Sequence, residues 1–313
     1  MTDLLANPEF KLFIEEFEKL SKTSQQLSLD ESRKLSDQFF VPSHTVYERV
    51  HRVENIEIEG KNRHKIPVRL FIPNDSKGLP IIVYFHRGGW VFGNIDIADP
   101  VCRKFANHGR CIVAAVGYRL APENPFPTPL EDCYEATKWI AAHANLIGGD
   151  PNKIITGGES AGGNLAAAVA LLARDQNGPK IASQLLIYPT ISSAIQEEIF
   201  DKSVDRYFLT KDAMKFFWSM YLQSSEDFNN PYASPDLTPD FSNLPPALII
   251  TAEYDPLHQE GAKYAEQLHQ AGIKTTTKCF SKVIHGFLSL PIYEEYQKVE
   301  WVKEICHLLK RMN

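Results

Sequence analysis

Hydrophobic positions change their spacing along the chain, and the changes mark out three kinds of segment. Residues 8–20 place Phe10, Phe13, Ile14, Phe17 and Leu20 three or four apart, the spacing that gathers apolar side chains on one helical stripe. A weaker helical pattern over residues 27–40 follows a Ser/Thr/Gln-rich break. From Val53 the period falls to two: Ile56 and Ile58, then Val68, Leu70 and Ile72, with Gly60-Lys61-Asn62 between them. Such alternation on both sides of a turn signal predicts an antiparallel hairpin.

Beyond the hairpin, short apolar runs at 81–85, 111–116, 154–156, 184–188, 247–251 and 275–280 are separated by helical patterns. Near-continuous apolar strands alternating with helices predict a mostly parallel sheet covered on both faces, and so an α/β fold. One interval breaks the rhythm. From Pro189 to about Asn230 no strand is predicted, only a helix over residues 211–222 carrying Phe216, Phe217, Trp218 and Tyr221, preceded by Arg206-Tyr207-Phe208-Leu209. A stretch this long without a strand points to a functional insertion. We assign the insertion at about 190–230, together with residues 1–45, to a helical cap over the C-terminal ends of the strands, where open α/β sheets bind ligands. Residues 46–313 then form the catalytic domain.

Composition adds mainly exclusions. A formal net charge of -6 with scattered Lys and Arg leaves no electrostatic footprint for nucleic acid. The N-terminus lacks the basic start and apolar core of a secretion signal, and no apolar run is long enough to span a bilayer, so a cytoplasmic protein without integral membrane association is expected. Cys102, Cys111, Cys133, Cys279 and Cys306 are odd in number and lack CxxC spacing; reduced thiols are expected, with no disulfide framework and no metal site.

The candidate chemistry starts at Gly157-Gly158-Glu159-Ser160-Ala161-Gly162-Gly163-Asn164, which contains G-x-S-x-G. Chance alone would give the pattern roughly 0.1 times in such a chain, so its context has to carry the reading. A predicted strand precedes it and the strong helix former Leu165-Ala166-Ala167-Ala168-Val169 follows, the strand, sharp turn and helix that expose a nucleophilic serine. His86-Arg87-Gly88-Gly89-Trp90 comes directly after another strand. Paired glycines there let backbone N–H groups of Gly88 and Gly89 approach a developing oxyanion, with the N–H of Ala161 as the remaining donor.

A serine hydroxyl needs a neutral imidazole to take its proton and a carboxylate to orient that imidazole. His258, His269 and His307 fall on helical patterns, whereas His285-Gly286-Phe287 lies in a loop after a strand. Asp255, in Glu253-Tyr254-Asp255-Pro256-Leu257 after another strand, is the candidate acid, with Glu253 in reserve and a helix N-cap as its alternative role. Arg87, Trp90, Glu159, Tyr188 and Phe208 are candidate substrate-binding residues.

These motifs together resemble the bacterial hormone-sensitive-lipase-like esterases of the α/β-hydrolase superfamily. The resemblance runs from about Val53 to the C-terminus and includes Tyr118-Arg119-Leu120-Ala121-Pro122-Glu123, Phe126-Pro127 and Leu130-Glu131-Asp132 besides the segments above. It implies an eight-stranded, mostly parallel sheet flanked by helices under a helical cap. It also implies Ser160, Asp255 and His285 as catalytic triad, no cofactor, and hydrolysis of small-molecule esters with short to medium acyl chains. Many such enzymes form homodimers through the last strand and C-terminal helices, although Thr275-Thr276-Thr277-Lys278 reads equally as a solvated edge. Two other classes share the scaffold: amidases or deacetylases, and plant gibberellin receptors, which lack the catalytic histidine.

The chain departs from the family pattern in two places. Gly117 stands where aspartate is common before Tyr-Arg-Leu-Ala-Pro-Glu; Arg119, with Glu123 or Asp132, is expected to form a structural ion pair. Arg87 stands at the first glycine of His-Gly-Gly-Gly, and either pairs with a carboxylate such as Glu159 or Asp96 or contacts an acidic group on the substrate. Measuring Arg87→Gly on a neutral ester and on a matched carboxylate-bearing ester separates the two. Pairing within the protein predicts equal changes on both, and substrate contact predicts a loss confined to the anionic ester.

Overall fold

The computed structural model describes residues 4–42, 45, 47–195 and 207–312. Eight strands, β1 (Arg52–Glu59), β2 (Lys65–Ile72), β3 (Leu79–Phe85), β4 (Ile112–Val116), β5 (Gly149–Glu159), β6 (Ile181–Ile187), β7 (Ala247–Tyr254) and β8 (Thr275–Ile284), form one sheet in the order β1-β2-β4-β3-β5-β6-β7-β8. β2 runs antiparallel to β1 and β4, and every other pair is parallel. The hairpin register follows the period-two pattern: Ile56 faces Val68 and Ile58 faces Ile66, while Glu57 and Glu59 point to solvent. The parallel strands are apolar on both faces because both are covered. α4 (Thr128–His143), α5 (Ala161–Asp175) and α8 (His258–Gln270) pack on one face, and α3 (Ile95–Gly109) and α9 (Glu295–Lys310) on the other. α5 is the central helix; every residue from Ala161 to Ala173 is buried, which suits an alanine-rich helix that is apolar all round.

Strand order places the functional crevice. After β3 the chain leaves through α3 towards β4 on one side, and after β5 it leaves through α5 towards β6 on the other, although β3 and β5 are neighbours. The two connections diverge to opposite faces, so a gap opens at the C-terminal ends of β3 and β5.

Three strands run past their predicted ends, β7 among them, which continues from Thr251 to Tyr254. β5 extends beyond Thr156 through Gly157 and Gly158 to Glu159, because glycines that carry no hydrophobic signal still pair, Gly158 with Phe85 and with Leu186. β8 continues beyond Phe280 to Ile284 across a register shift.

The N-terminal patterns fold as α1 (Pro8–Ser24), capped by Asn7, and α2 (Leu29–Phe40), whose Ser28 and Glu31 make a reciprocal capping box. Phe10, Phe13 and Ile14 pack with Tyr207, Tyr254, Ile284 and Leu290, and Phe17 meets Phe208 at 4.5 Å. The insertion contributes α6 (Lys211–Tyr221) and the single turn α7 (Ser225–Phe228); residues 196–206 lie outside the described residues. On α6 the aromatic run divides. Trp218 and Tyr221 turn inward, with Tyr221 stacked on Trp90 at 4.2 Å, while Phe216 stays exposed. Among the described residues no helix is long and apolar enough to cross a membrane.

Of the two acids expected for Arg119, Asp132 is the partner: its carboxylate takes Nε at 2.8 Å, Nη2 at 2.7 Å and the Arg119 backbone N–H at 3.0 Å. Glu123 pairs instead with Arg33 of α2. Asp132 is fully buried, so Asp132→Ala strands both the guanidinium and a backbone amide. A loss of about 2–4 kcal/mol in urea unfolding is expected.

Candidate functional site

β5 ends in a turn that standard backbone angles would not permit. Ser160 has φ 55° and ψ -119°, and on either side the chain is squeezed against other backbone. A Cβ on Gly158 would strike the carbonyls of Gly162 and Phe85, and one on Gly162 would strike the carbonyl of Phe85. The turn therefore forms only where these residues are glycine. Trp90 and Tyr188, at φ 61° and 33°, add two more strained non-glycine residues beside it, the clustering expected of a site held by its surroundings.

Ser160 occupies the N-cap position of α5, yet its hydroxyl caps nothing. Its Oγ lies 2.9 Å from Nε2 of His285, whose Nδ1 lies 2.8 Å from Oδ2 of Asp255. A carboxylate can only accept, so Nδ1 donates to it; Nε2 is then left with a lone pair to take the serine proton. Asp255 is not the helix N-cap, a position that Leu257 holds without a side-chain bond; its other oxygen accepts the N–H of Leu257 at 2.8 Å in the turn before α8. The same carboxylate thus fixes that turn and orients the imidazole. Glu253, the reserve acid, is exposed and accepts the N–H of Lys282 at 2.8 Å, away from His285. His258 and His269 lie on α8 and His307 on α9.

The loop after β3 supplies donors without partners. Among the described residues, the N–H groups of Gly88, Gly89 and Ala161 make no hydrogen bond, whereas the carbonyl of Gly88 accepts from Val91 and Phe92 at 3.2 and 2.8 Å. Both glycines have positive φ, 123° and 60°. A Cβ on Gly88 would collide with the carbonyl of Phe92, and one on Gly89 with the ring of Phe217 from α6. His86 braces the loop from below. Its Nδ1 donates to the carbonyl of Arg87 at 2.9 Å, its ring stacks on Tyr118 at 4.1 Å, and the Tyr118 hydroxyl donates back to the His86 carbonyl at 2.8 Å. Burial holds the His86 imidazole down at about 4, so it stays uncharged near neutral pH.

Four of the five candidate substrate-binding residues, Arg87, Trp90, Glu159 and Tyr188, are buried. Trp90 is wholly buried between Tyr221 and Trp218. Glu159 is also buried, and its carboxylate accepts from the hydroxyls of Tyr84, Tyr188 and, at 2.6 Å, Ser289. Tyr188 is fixed by that bond and sets its ring edge-on to His285 at 5.0 Å. Burial beside the carboxylate pushes the phenols of Tyr84 and Tyr188 well up, which keeps both as donors. Glu159 thereby connects the serine turn to Ser289 in the loop after His285, a link no local pattern announced. Phe208 is half-buried among Phe13, Phe17 and Phe40. Arg87 pairs with neither expected acid: Glu159 is taken by the three hydroxyls, and Asp96 by Arg69 at 2.7 Å. Its guanidinium lies instead over the ring of Phe40, 4.2 Å from the centroid.

Known proteins resemble this chain in sequence and in fold. A family model described as alpha/beta hydrolase fold matches residues 82–289. The chain belongs to that family. It is 38% identical over 245 residues to the carboxylesterase NlhH of Mycobacterium tuberculosis, covering 77% of each chain. It is 37% identical over 229 residues to an arylesterase of Saccharolobus solfataricus, covering 73% of this chain and 74% of the other. Among solved structures, a hyperthermophilic esterase from Pyrobaculum calidifontis superposes with a TM-score of 0.84 at 40% identity over 93% of this chain and 96% of that one. An ester-hydrolase from the Lake Arreo metagenome gives 0.89 at 35% identity over 97% and 98%. The expected α/β-hydrolase fold and the resemblance to hormone-sensitive-lipase-like esterases are both borne out.

Gly162 offers a direct test of how the site is held. Gly162→Ala must push the Phe85 carbonyl and the loop behind it away by on the order of 1 Å, so kcat should fall about a hundredfold. Circular dichroism checks that the fold survives, and steady-state kinetics measures the loss.

Proposed function

We propose that this protein is a serine carboxylesterase that cleaves short- to medium-chain acyl esters through an acyl-enzyme intermediate. The observation that carries the reading is the continuous series Ser160 Oγ, His285 and Asp255 standing beside three backbone N–H groups with no partner of their own. The named relatives and solved neighbours, all esterases, support the ester as substrate.

In this reading Ser160 attacks the ester carbonyl as His285 takes its proton. The carbonyl oxygen becomes an oxyanion and is received by the N–H groups of Gly88, Gly89 and Ala161 at the N-terminal end of α5, where negative charge is favoured. The tetrahedral adduct collapses, the alcohol leaves with the proton from His285, and water deprotonated by the same imidazole attacks the acyl-serine. The second collapse releases the acid and returns the proton to Ser160. No step requires a cofactor. α1, α2 and the segment around α6 act as the cap over this site, with the Phe13, Phe17, Phe40 and Phe208 cluster as its apolar interior.

The receptor alternative is disfavoured by the presence of His285 in contact with Ser160. Cleavage of amides uses the same groups, so paired ester and anilide substrates decide between esterase and amidase. The principal test is an acyl-chain series of chromogenic esters with wild type and Ser160→Ala. The variant should lose at least about a thousandfold in kcat while still binding substrate, and only the wild type should form a covalent adduct with an organophosphate.

A further inference from the structure

Arg33, Asp37 and Phe40 stand four and three residues apart on α2, which puts them on one face of the helix. Each grips a different point of the segment that carries Gly88 and Gly89. Arg33 Nε donates to the carbonyl of Val91 at 2.8 Å. Asp37 Oδ2 accepts from Nδ2 of Asn94 at 2.7 Å. The Phe40 ring lies 4.2 Å from Cζ of Arg87. The two ends and the middle of residues 87–94 are therefore all attached to one helix.

The attachment also has a rigid base. The remaining donors of Arg33 bond both oxygens of Glu123 at 2.8 Å and the carbonyl of Ala121 at 2.9 Å, while the N–H of Ala121 bonds the carbonyl of Trp90 at 2.9 Å. One guanidinium thus holds the loop and the 121–123 segment in a single unit. Arg87, mostly buried and without a carboxylate at ion-pair distance among the described residues, leaves Nε and Nη2 without hydrogen-bond partners, with the charges of Glu159 and Asp37 acting on it through space. Phe40 is the last residue of α2, so the cation sits beside the helix end that carries partial negative charge. The residue that replaces a glycine at the start of the loop is in this way a docking post for α2.

We propose that α2 is a positioning element for the oxyanion loop, with Arg33, Asp37 and Phe40 as positioning residues that keep the amides of Gly88 and Gly89 aimed at the reacting oxygen. The proposal rests on the serine esterase reading. It differs from the view of α2 as a lid that only shapes the pocket, because a lid changes substrate binding whereas a loop support changes the stabilisation of the tetrahedral state.

The test compares Arg33→Met, Arg33→Lys and Phe40→Leu with wild type on a short-chain chromogenic ester and with an alkyl boronic acid, which forms a tetrahedral adduct on the serine. Arg33→Met and Phe40→Leu should lower kcat by about tenfold to a hundredfold and weaken the boronate by the same factor, with KM changed by less than about threefold. Arg33→Lys should recover part of both. A rise in KM with kcat and boronate affinity intact, or no change in any of the three, would overturn the proposal. If Arg33→Met does not fold, Asp37→Ala with Phe40→Leu supplies the same comparison. Ser160→Ala, run in parallel, separates the two levels: ester turnover that survives its loss removes the serine reading itself, whatever the α2 variants do.

Discussion

The site depends on one close approach of backbone to backbone. The carbonyl of Phe85, at the end of β3, lies where the Cβ of any residue other than glycine at position 158 or 162 would have to be. That contact sets how far the loop after β3 stands from the turn after β5, and so how far two free amides stand from a serine hydroxyl. Its origin is topological. β3 and β5 are adjacent and parallel, but their connections depart to opposite faces of the sheet, so the two turns meet at the gap between their ends.

Around that contact the polar groups are arranged with little redundancy. Asp255 uses one oxygen for the entrance of α8 and the other for His285. Glu159 uses its carboxylate for three hydroxyls, two from strand ends and one from the histidine loop. Each buried acid therefore ties the site to a structural element, and moving either one would disturb both the fold and the site. Satisfied networks of this kind hold a single geometry because any half-formed arrangement leaves a buried charge without partners. The aromatic side of the site follows a different rule. Phe217 packs directly on Gly89 and Phe40 on Arg87, so apolar helices from outside the sheet supply contact where the loop has no regular structure of its own.

Much of this could be read in the chain. The alternation from Val53 to Ile72 gave the hairpin, because a period of two on both sides of a turn signal marks paired strands with one buried face. The apolar runs located β3 to β8, and Ser160, Asp255 and His285 were identifiable because each stands in a short loop after a strand. Glycines hid the last part of β5, since they pair without adding a hydrophobic signal. Arg87, Glu159 and Tyr188 were read as pocket residues because they neighbour the motifs; proximity along the chain did not reveal that the latter two are bonded beneath the site, or that the first is covered by a helix more than forty residues upstream.

The sequence by itself determined the α/β class, the order of strands and helices, and the residue types able to perform acyl transfer, because these depend on local periodicity and on the intrinsic chemistry of serine, histidine and carboxylate. Only the tertiary structure decided which carboxylate accepts from which donor: Asp132 and not Glu123 from Arg119, Glu123 from Arg33, and Glu159 from the hydroxyls of Tyr84, Tyr188 and Ser289. Those choices turn on distances of a few ångströms between segments far apart in the chain, set by how helices and strands pack, and such distances are properties of the folded solid and not of any local stretch of sequence.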